Sequence, residues 1–432
     1  MAALSAGGAL GCAAREKTPS KNISGLVAAY APRLHAAAGH RHHVVSPLGA
    51  WLLLALAAPL ATGRAREELE RVLGCDADTA RRAADELLEH PHPVLALAFA
   101  AWYRGDVGRG LDAWRHALPP GATTGPMPSQ AQADAWAREH TRGQIESMPV
   151  AIDEFARLLL ASAVATEVQW TGAFELVPAT DLGGSWASRV KRAMRRYGGG
   201  PVEVVAHTEA AGLVGVSHEY GRGGLDVVSV IAAPEVPPAQ VIAAAYDVAS
   251  HYAGLPSTTA FVRAFDLPLE GYAWVVRESV AENRGGPDHV ERSEVTIPAW
   301  TARTELPDLI TAPGTGFAEI AHVLIEQLPA DPRGNRVIAT QAARARFDTN
   351  GFSAAGVTVL LELGAAAGSP PHRTIERTVE VRFDRPFAVA AVTNTHEFRR
   401  AGTVLQRGLP AFGAWVTEPE EPSEPNVSRR WF

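Results

Sequence analysis

The chain of 432 residues is poor in cysteine, lysine and long apolar runs, and each shortage excludes something. Two cysteines, Cys12 and Cys75, with no C-x-x-C, leave neither a disulfide framework nor a zinc ribbon. No apolar run reaches the ~18 residues that cross a bilayer as a helix. The longest, Trp51 to Ala61, is interrupted by Pro59 and reads as a buried helix. Lysine occurs only at Lys17, Lys21 and Lys191 while arginine is abundant, which fits a GC-rich genome. A net charge of −7 argues against nucleic acid as a partner, because that footprint is basic. The N-terminus has no basic region before its short apolar run, so it makes a poor secretory signal. The expectation is a cytoplasmic or non-classically exported protein with no membrane span.

What is present is enough apolar surface for a large core: 47% of residues are apolar and 20% charged. Residues 1–21 read as a disordered lead. Ile23 to Ala37 has helical periodicity, Ser46-Pro47 caps a second helix through Leu56, and residues 64–73 form a third that ends at Gly74. Strand-like runs follow at Pro93 to Tyr103, Leu158 to Trp170, Leu213 to Ala233, Ala260 to Val276 and Val295 to Thr304. Gln130 to Ile145 is helical between the first two. Val389 to Thr393, Thr403 to Leu405 and Phe412 to Val416 close the chain with strands. Helices crowd the first third and strands the rest, which suits an α+β fold built as one unit.

Gln341 to Phe387 is the most unusual stretch. A possible strand, Gln341 to Asp348, is broken by Gly351 and followed by a run of small residues and a Gly/Ala tract. Composition alone makes this a linker. Alternation argues otherwise: Phe352, Ala354, Gly356, Thr358 and Leu360 fall on one face if the segment is extended. The loop is therefore a candidate strand.

Several stretches together resemble the serpins. Val45 to Gly74 is similar to the family's segment from Ser-Pro-Leu to Leu-Gly, and Trp136 to Ile145 to its W-x-x-x-x-T-x-G-x-I helix. Leu158 to Phe174, VTIPAW at Val295 to Trp300, and FDRPFAVAAV with LPAFGAWVTEP match further signatures in family order. The resemblance covers residues 22–419, with a reactive loop at about 349–380 and a tail over 420–432. It implies a single α+β domain with three β-sheets, about nine helices and an exposed loop. It also implies a suicide-substrate inhibitor of serine or cysteine proteases, with no catalytic residue or cofactor of its own. The cleaved loop inserts as a strand and carries the acyl-enzyme with it. The alternative is a serpin-fold binding or carrier protein that does not inhibit.

By the same resemblance the hinge is Gly351, Phe352, Ser353, Ala354, Ala355, Gly356, Val357 and Thr358, and the scissile bond joins Ala365 to Ala366. An elastase-like or subtilisin-like partner accepts alanine there. The stretch from Ala366 to Phe387 is longer than usual, so Arg373 or Arg377 is an alternative cut, with a trypsin-like partner. Ser46, Gly49, Ser162, Trp170 and Gln341 fall where the family has its shutter and breach. Phe352 replaces a small residue, and forcing its ring into a sheet costs roughly 1–3 kcal/mol of overpacking. That predicts slowed insertion, so that the chain behaves mainly as a substrate.

Other constellations are weaker. Arg189, Lys191, Arg192, Arg195 and Arg196 read as a helical basic face, a site for a polyanion. His40 to His43 reads as a surface turn rather than a metal site, because adjacent histidines point apart. No nucleophile–base pair is legible, so the chain is not expected to be an enzyme, and it is expected to be a monomer.

Overall fold

The computed structural model describes residues 22–199, 202–284, 287–306, 309–330, 335–352, 371–395 and 406–424. Helix α1 (Ile23–Ala38) leads into strand β1 (His43–Val45) and helices α2 (Pro47–Ala57), α3 (Gly63–Leu73) and α4 (Ala77–Glu89). Next come β2 (Leu95–Tyr103), α5 (Arg109–His116), β3 (Ala122–Pro126), α6 (Gln130–His140), β4 (Ala156–Thr166) and β5 (Val168–Gln169). The middle of the chain gives β6 (Glu175–Pro178), β7 (Arg192–Gly199), β8 (Val205–Thr208), β9 (Gly212–Gly221) and β10 (Leu225–Ile231). After α7 (Pro238–Tyr252) come β11 (Ala260–Phe261), β12 (Trp274–Arg284), β13 (His289–Ile297), β14 (Trp300–Leu306) and α8 (Phe317–Glu326). The last elements are β15 (Arg336–Ala339), β16 (Gln341–Asp348), β17 (Gly351–Phe352), β18 (Pro371–Arg382), β19 (Phe387–Thr393) and β20 (Pro410–Val416). No helix among the described residues is long and apolar enough to cross a membrane.

Helix α2 shows why the apolar run at Trp51 is core. Ser46 Oγ accepts from the Gly49 amide at 3.2 Å, Pro47 takes the first turn, and all eleven helical residues are buried. A helix that is apolar all round has no solvent face, so it goes to the centre. It packs against β4 and β20.

The strands form a seven-stranded sheet (β1-β20-β19-β10-β9-β8-β11), a five-stranded sheet (β12-β18-β13-β7-β6) and two four-stranded ones, β14-β16-β17-β5 and β15-β4-β2-β3. β5 continues β4 across Glu167, and β16 continues β15 across Thr340, so the two four-stranded sheets are the upper and lower parts of one layer. Valines and alanines of α7 and β10 bury the outer face of the seven-stranded sheet, and α6 with Trp102 and Trp136 covers the lower part of the divided layer. This is the α+β architecture expected, with eight α-helices among the described residues.

The segment Arg189 to Tyr197 is a correction. It is not a helix: β7 lies between β6 and β13, registered with both, so Met194 meets Leu176 on one side and Ile297 on the other. Two partner strands override the segment's helical pattern. The apolar run Leu213 to Ala233 is likewise two strands, β9 and β10, which pair antiparallel around Gly223 and Gly224 in left-handed backbone. Of the Ala260 to Val276 run, only its two ends pair as strands. Thr403 to Leu405 lies outside the described residues.

Candidate functional site

The divided layer holds Gly351 and Phe352. At the lower end β15 runs parallel to β4, with Val337 opposite Leu158 and Ala339 opposite Leu160. Higher up the two strands separate. Among the described residues, β4 from Ala161 to Thr166 pairs with β2, and β16 from Gln341 to Arg346 pairs with β14. At the top β17 lies between them, antiparallel to both: Phe352 faces Phe347 and Val168, and Gly351 faces Asp348 and Gln169. The seat is one strand wide and two residues deep.

Gly351 has to be glycine. Its φ is +153°, and a Cβ there would lie 2.1 Å from the Val168 carbonyl oxygen. Phe352 is 2% exposed, with its ring 6.3 Å from Trp300 and 6.4 Å from Phe412. Phe347 stacks on Trp300, and Trp170 packs on Phe347 at 5.2 Å while its indole N–H donates to the Asp348 carbonyl at 2.7 Å. The expectation that Phe352 overpacks the sheet thus meets a ring already accommodated there. Its ring already occupies an aromatic box, because β16 and β5 have diverged far enough to admit it.

Beneath this layer, residues far apart in sequence converge. Gln341 Oε1 accepts from the Ser46 amide at 3.0 Å, and Gln341 Nε2 donates to the Ser46 carbonyl at 2.9 Å. Ser46 Oγ donates to the Ala411 carbonyl at 2.8 Å while capping α2. A Cβ on Gly49 would sit 3.0 Å from Ser162 Oγ, so helix and strand approach closely there. Ser46, Gly49, Ser162 and Gln341 thus surround the point where β4 and β16 part, and Trp170 stands at the top.

Sequence reasoning missed the cover on this seat. Asp348 Oδ1 accepts from the amides of Thr349 (2.7 Å) and Ser423 (2.9 Å), and Arg346 donates to Oδ2 at 2.5 Å. Burial pushes the Asp348 carboxyl up, but the bonds from Ser423, Thr349 and Arg346 outweigh it and hold the group below its ordinary value. Ser423 is 75 residues from Asp348, and no local pattern marks it.

Other expected site residues are placed differently. Arg373 and Arg377 lie in β18, which β12 pairs along its length and β13 pairs from Ile375 onward. Arg377 donates to Glu278 at 2.9 Å and to the Ala264 and Phe265 carbonyls, with its guanidinium over the Phe265 ring. A protease needs an extended free stretch on both sides of its bond, and the paired strand β18 does not offer one at either arginine. Ser353, Ala354, Ala355, Gly356, Val357, Thr358, Ala365 and Ala366 lie outside the described residues.

The basic set does not form one face. Arg192 pairs with Glu421 and Glu424, Arg195 with Asp181 and Glu294, and Arg196 with the buried Glu219. Arg189 donates to the Thr417 carbonyl, and the Lys191 amide to Glu421. The His40 to His43 reading also changes: His43 turns inward into β1 and is buried.

No family model matches the chain, and a comparison with curated proteins finds no match. Solved structures do match. The chain superposes on a thermophilic serpin, tengpin, in its native state, with a TM-score of 0.59 and 14% identity over 91% of this chain and 93% of that one. Against human thyroxine-binding globulin complexed with thyroxine, the values are 0.60 and 11%, over 92% and 98%. Against native protease nexin-1 with heparin they are 0.56 and 13%, over 93% and 99%. The fold is the serpin fold.

Proposed function

We propose that the chain is a suicide-substrate inhibitor of serine or cysteine proteases, working by loop cleavage and strand insertion. The observation that supports it most is β17: the chain after the hinge glycine already runs as a strand between β16 and β5. Ala354, Gly356 and Thr358 continue the face of Phe352 with smaller side chains, so the next positions meet less steric resistance than the one already seated. Further insertion replaces the β15–β4 contact with two new ladders, and the added pairing and burial drive it. The acylated protease is carried along with its ester to the bait carbonyl unhydrolysed.

The bait lies on the N-terminal side of β18, with Ala365–Ala366 the candidate bond. Residues 353–370 contain no lysine or arginine, which favours an elastase-like or subtilisin-like partner over a trypsin-like one. The carrier reading draws support from the thyroxine-binding globulin among the neighbours. A protease panel separates the two. Elastase or subtilisin should form a denaturant-stable covalent complex, with a released fragment that begins at Ala366. Trypsin should give no early fragment beginning at Thr378. Cleavage without any complex would favour the carrier.

A further inference from the structure

After β20 the chain doubles back over the top of the divided layer, and each step of its path is bonded. The Thr417 amide donates to His42 Nδ1 at 3.1 Å, and the Glu420 amide to the Ala299 carbonyl at 2.7 Å in an isolated antiparallel bridge. Pro419 and Pro422 are buried while Glu418, Glu420, Glu421 and Glu424 are exposed, so the segment has an inner and an outer side. Glu421 takes the Lys191 amide at 2.8 Å and Arg192 Nε at 2.9 Å, and Glu424 takes a second nitrogen of Arg192. Ser423 then meets the turn between β16 and β17. Its amide donates to Asp348, its carbonyl accepts from Thr349 Oγ1 at 3.0 Å, and its hydroxyl accepts from Arg346 at 2.5 Å.

We infer that residues 418–424 form a latch, which ties the Asp348–Gly351 turn to β7 and to Ala299 and so holds β17 at its present depth. The turn is the pivot from which any longer strand must extend. A tie there controls whether the two seated residues stay, retreat or lead others in. The bonds to Asp348 are to a charged acceptor, which are the stronger class of hydrogen bond. Two buried prolines fix φ along the segment, so little backbone freedom is lost when it docks.

Backbone amide exchange tests this without reference to any protease, so the latch and the inhibitor reading can fail separately. In a chain ending at Thr417, the amides of Asp348 to Phe352 should exchange roughly ten-fold faster, the scale of one lost bond to a charged group. Those of β10 and β19 should keep their rates. Arg192→Gln, on a half-exposed side chain, should move the same amides in the same direction by less. A synthetic peptide of residues 418–424 should slow them again in the shortened chain. Unchanged rates at the turn in both variants would overturn the latch. So would a uniform rise across β10, β19 and the turn in R192Q, because that would make the tail a general stabiliser.

Discussion

Phe352 carries the account at the scale of single residues. It is 2% exposed against Trp300 and Phe412, so truncation leaves a hole between two strands and the C-terminal sheet. Phe352→Ala should destabilise the intact protein by about 3–5 kcal/mol, as for other buried aromatic rings. The check is the shift of the urea midpoint with the slope unchanged. A loss under about 1 kcal/mol, the range of exposed positions, would mean that the ring is not seated. The identity of Gly351 and the alternation after it were legible in the sequence, because both are local. The room for a ring was not. It depends on where Trp300 and Phe412 come to lie, and those residues are brought there by β14 and β20.

At the scale of elements, α1, β1 and α7 are joined by a hydrogen-bond chain of two buried imidazoles and a hydroxyl. His43 Nδ1–H donates to the Arg41 carbonyl at 2.8 Å, which leaves Nε2 to accept from His35 Nδ1–H at 2.8 Å. His35 Nε2 then accepts from the Tyr246 hydroxyl at 3.0 Å. Gly413 of β20 makes the space, since a Cβ there would sit 2.0 Å from the Tyr246 oxygen. A proton on His43 Nε2 would oblige His35 to change tautomer and would place a charge in a buried site. Burial lowers the pKa of both histidines, that of His43 to about 4. In the unfolded chain each titrates near 6.5, so the unfolded state binds the extra protons. Stability from this chain is therefore complete above pH 6.5 and is lost as the pH falls toward 4. For His43 alone the loss is roughly 3 kcal/mol. Unfolding midpoints measured from pH 8 to pH 4 should fall across that window, and His43→Gln should flatten the fall. An equally steep fall in the variant would place the acid sensitivity elsewhere.

The same scale shows where the sequence misleads. Helix α2 and its Ser46 cap were readable because capping and an all-apolar run act within a few residues. Strand β7 was not, since its Arg-rich pattern has helical spacing and only the partners β6 and β13 make it extended. β18 was half readable. The stretch Val379 to Phe383 has strand composition, but the entry of β18 between β12 and β13 from Ile375 onward follows from pairings about 80 to 110 residues away, an order of separation that no local window contains.

For the molecule as a whole, the proposed function requires that the intact fold is not its most stable arrangement. β4 and β16 part above Leu160, β17 fills two positions of the interval, and Ser46, Gly49, Ser162 and Gln341 line the point of parting. Fold and order of elements were visible in sequence signatures spread over residues 22–419, and the serpin-fold neighbours agree with them. The tail over the Asp348–Gly351 turn was not visible, because its polar partners are distant and individually ordinary. The most direct measurement is thermal unfolding before and after a single cut in the loop by elastase or subtilisin. The account predicts a large rise in midpoint after cleavage, as the freed strand pairs with β16 on one side and β4 on the other. An unchanged or lower midpoint in the cleaved protein would contradict it.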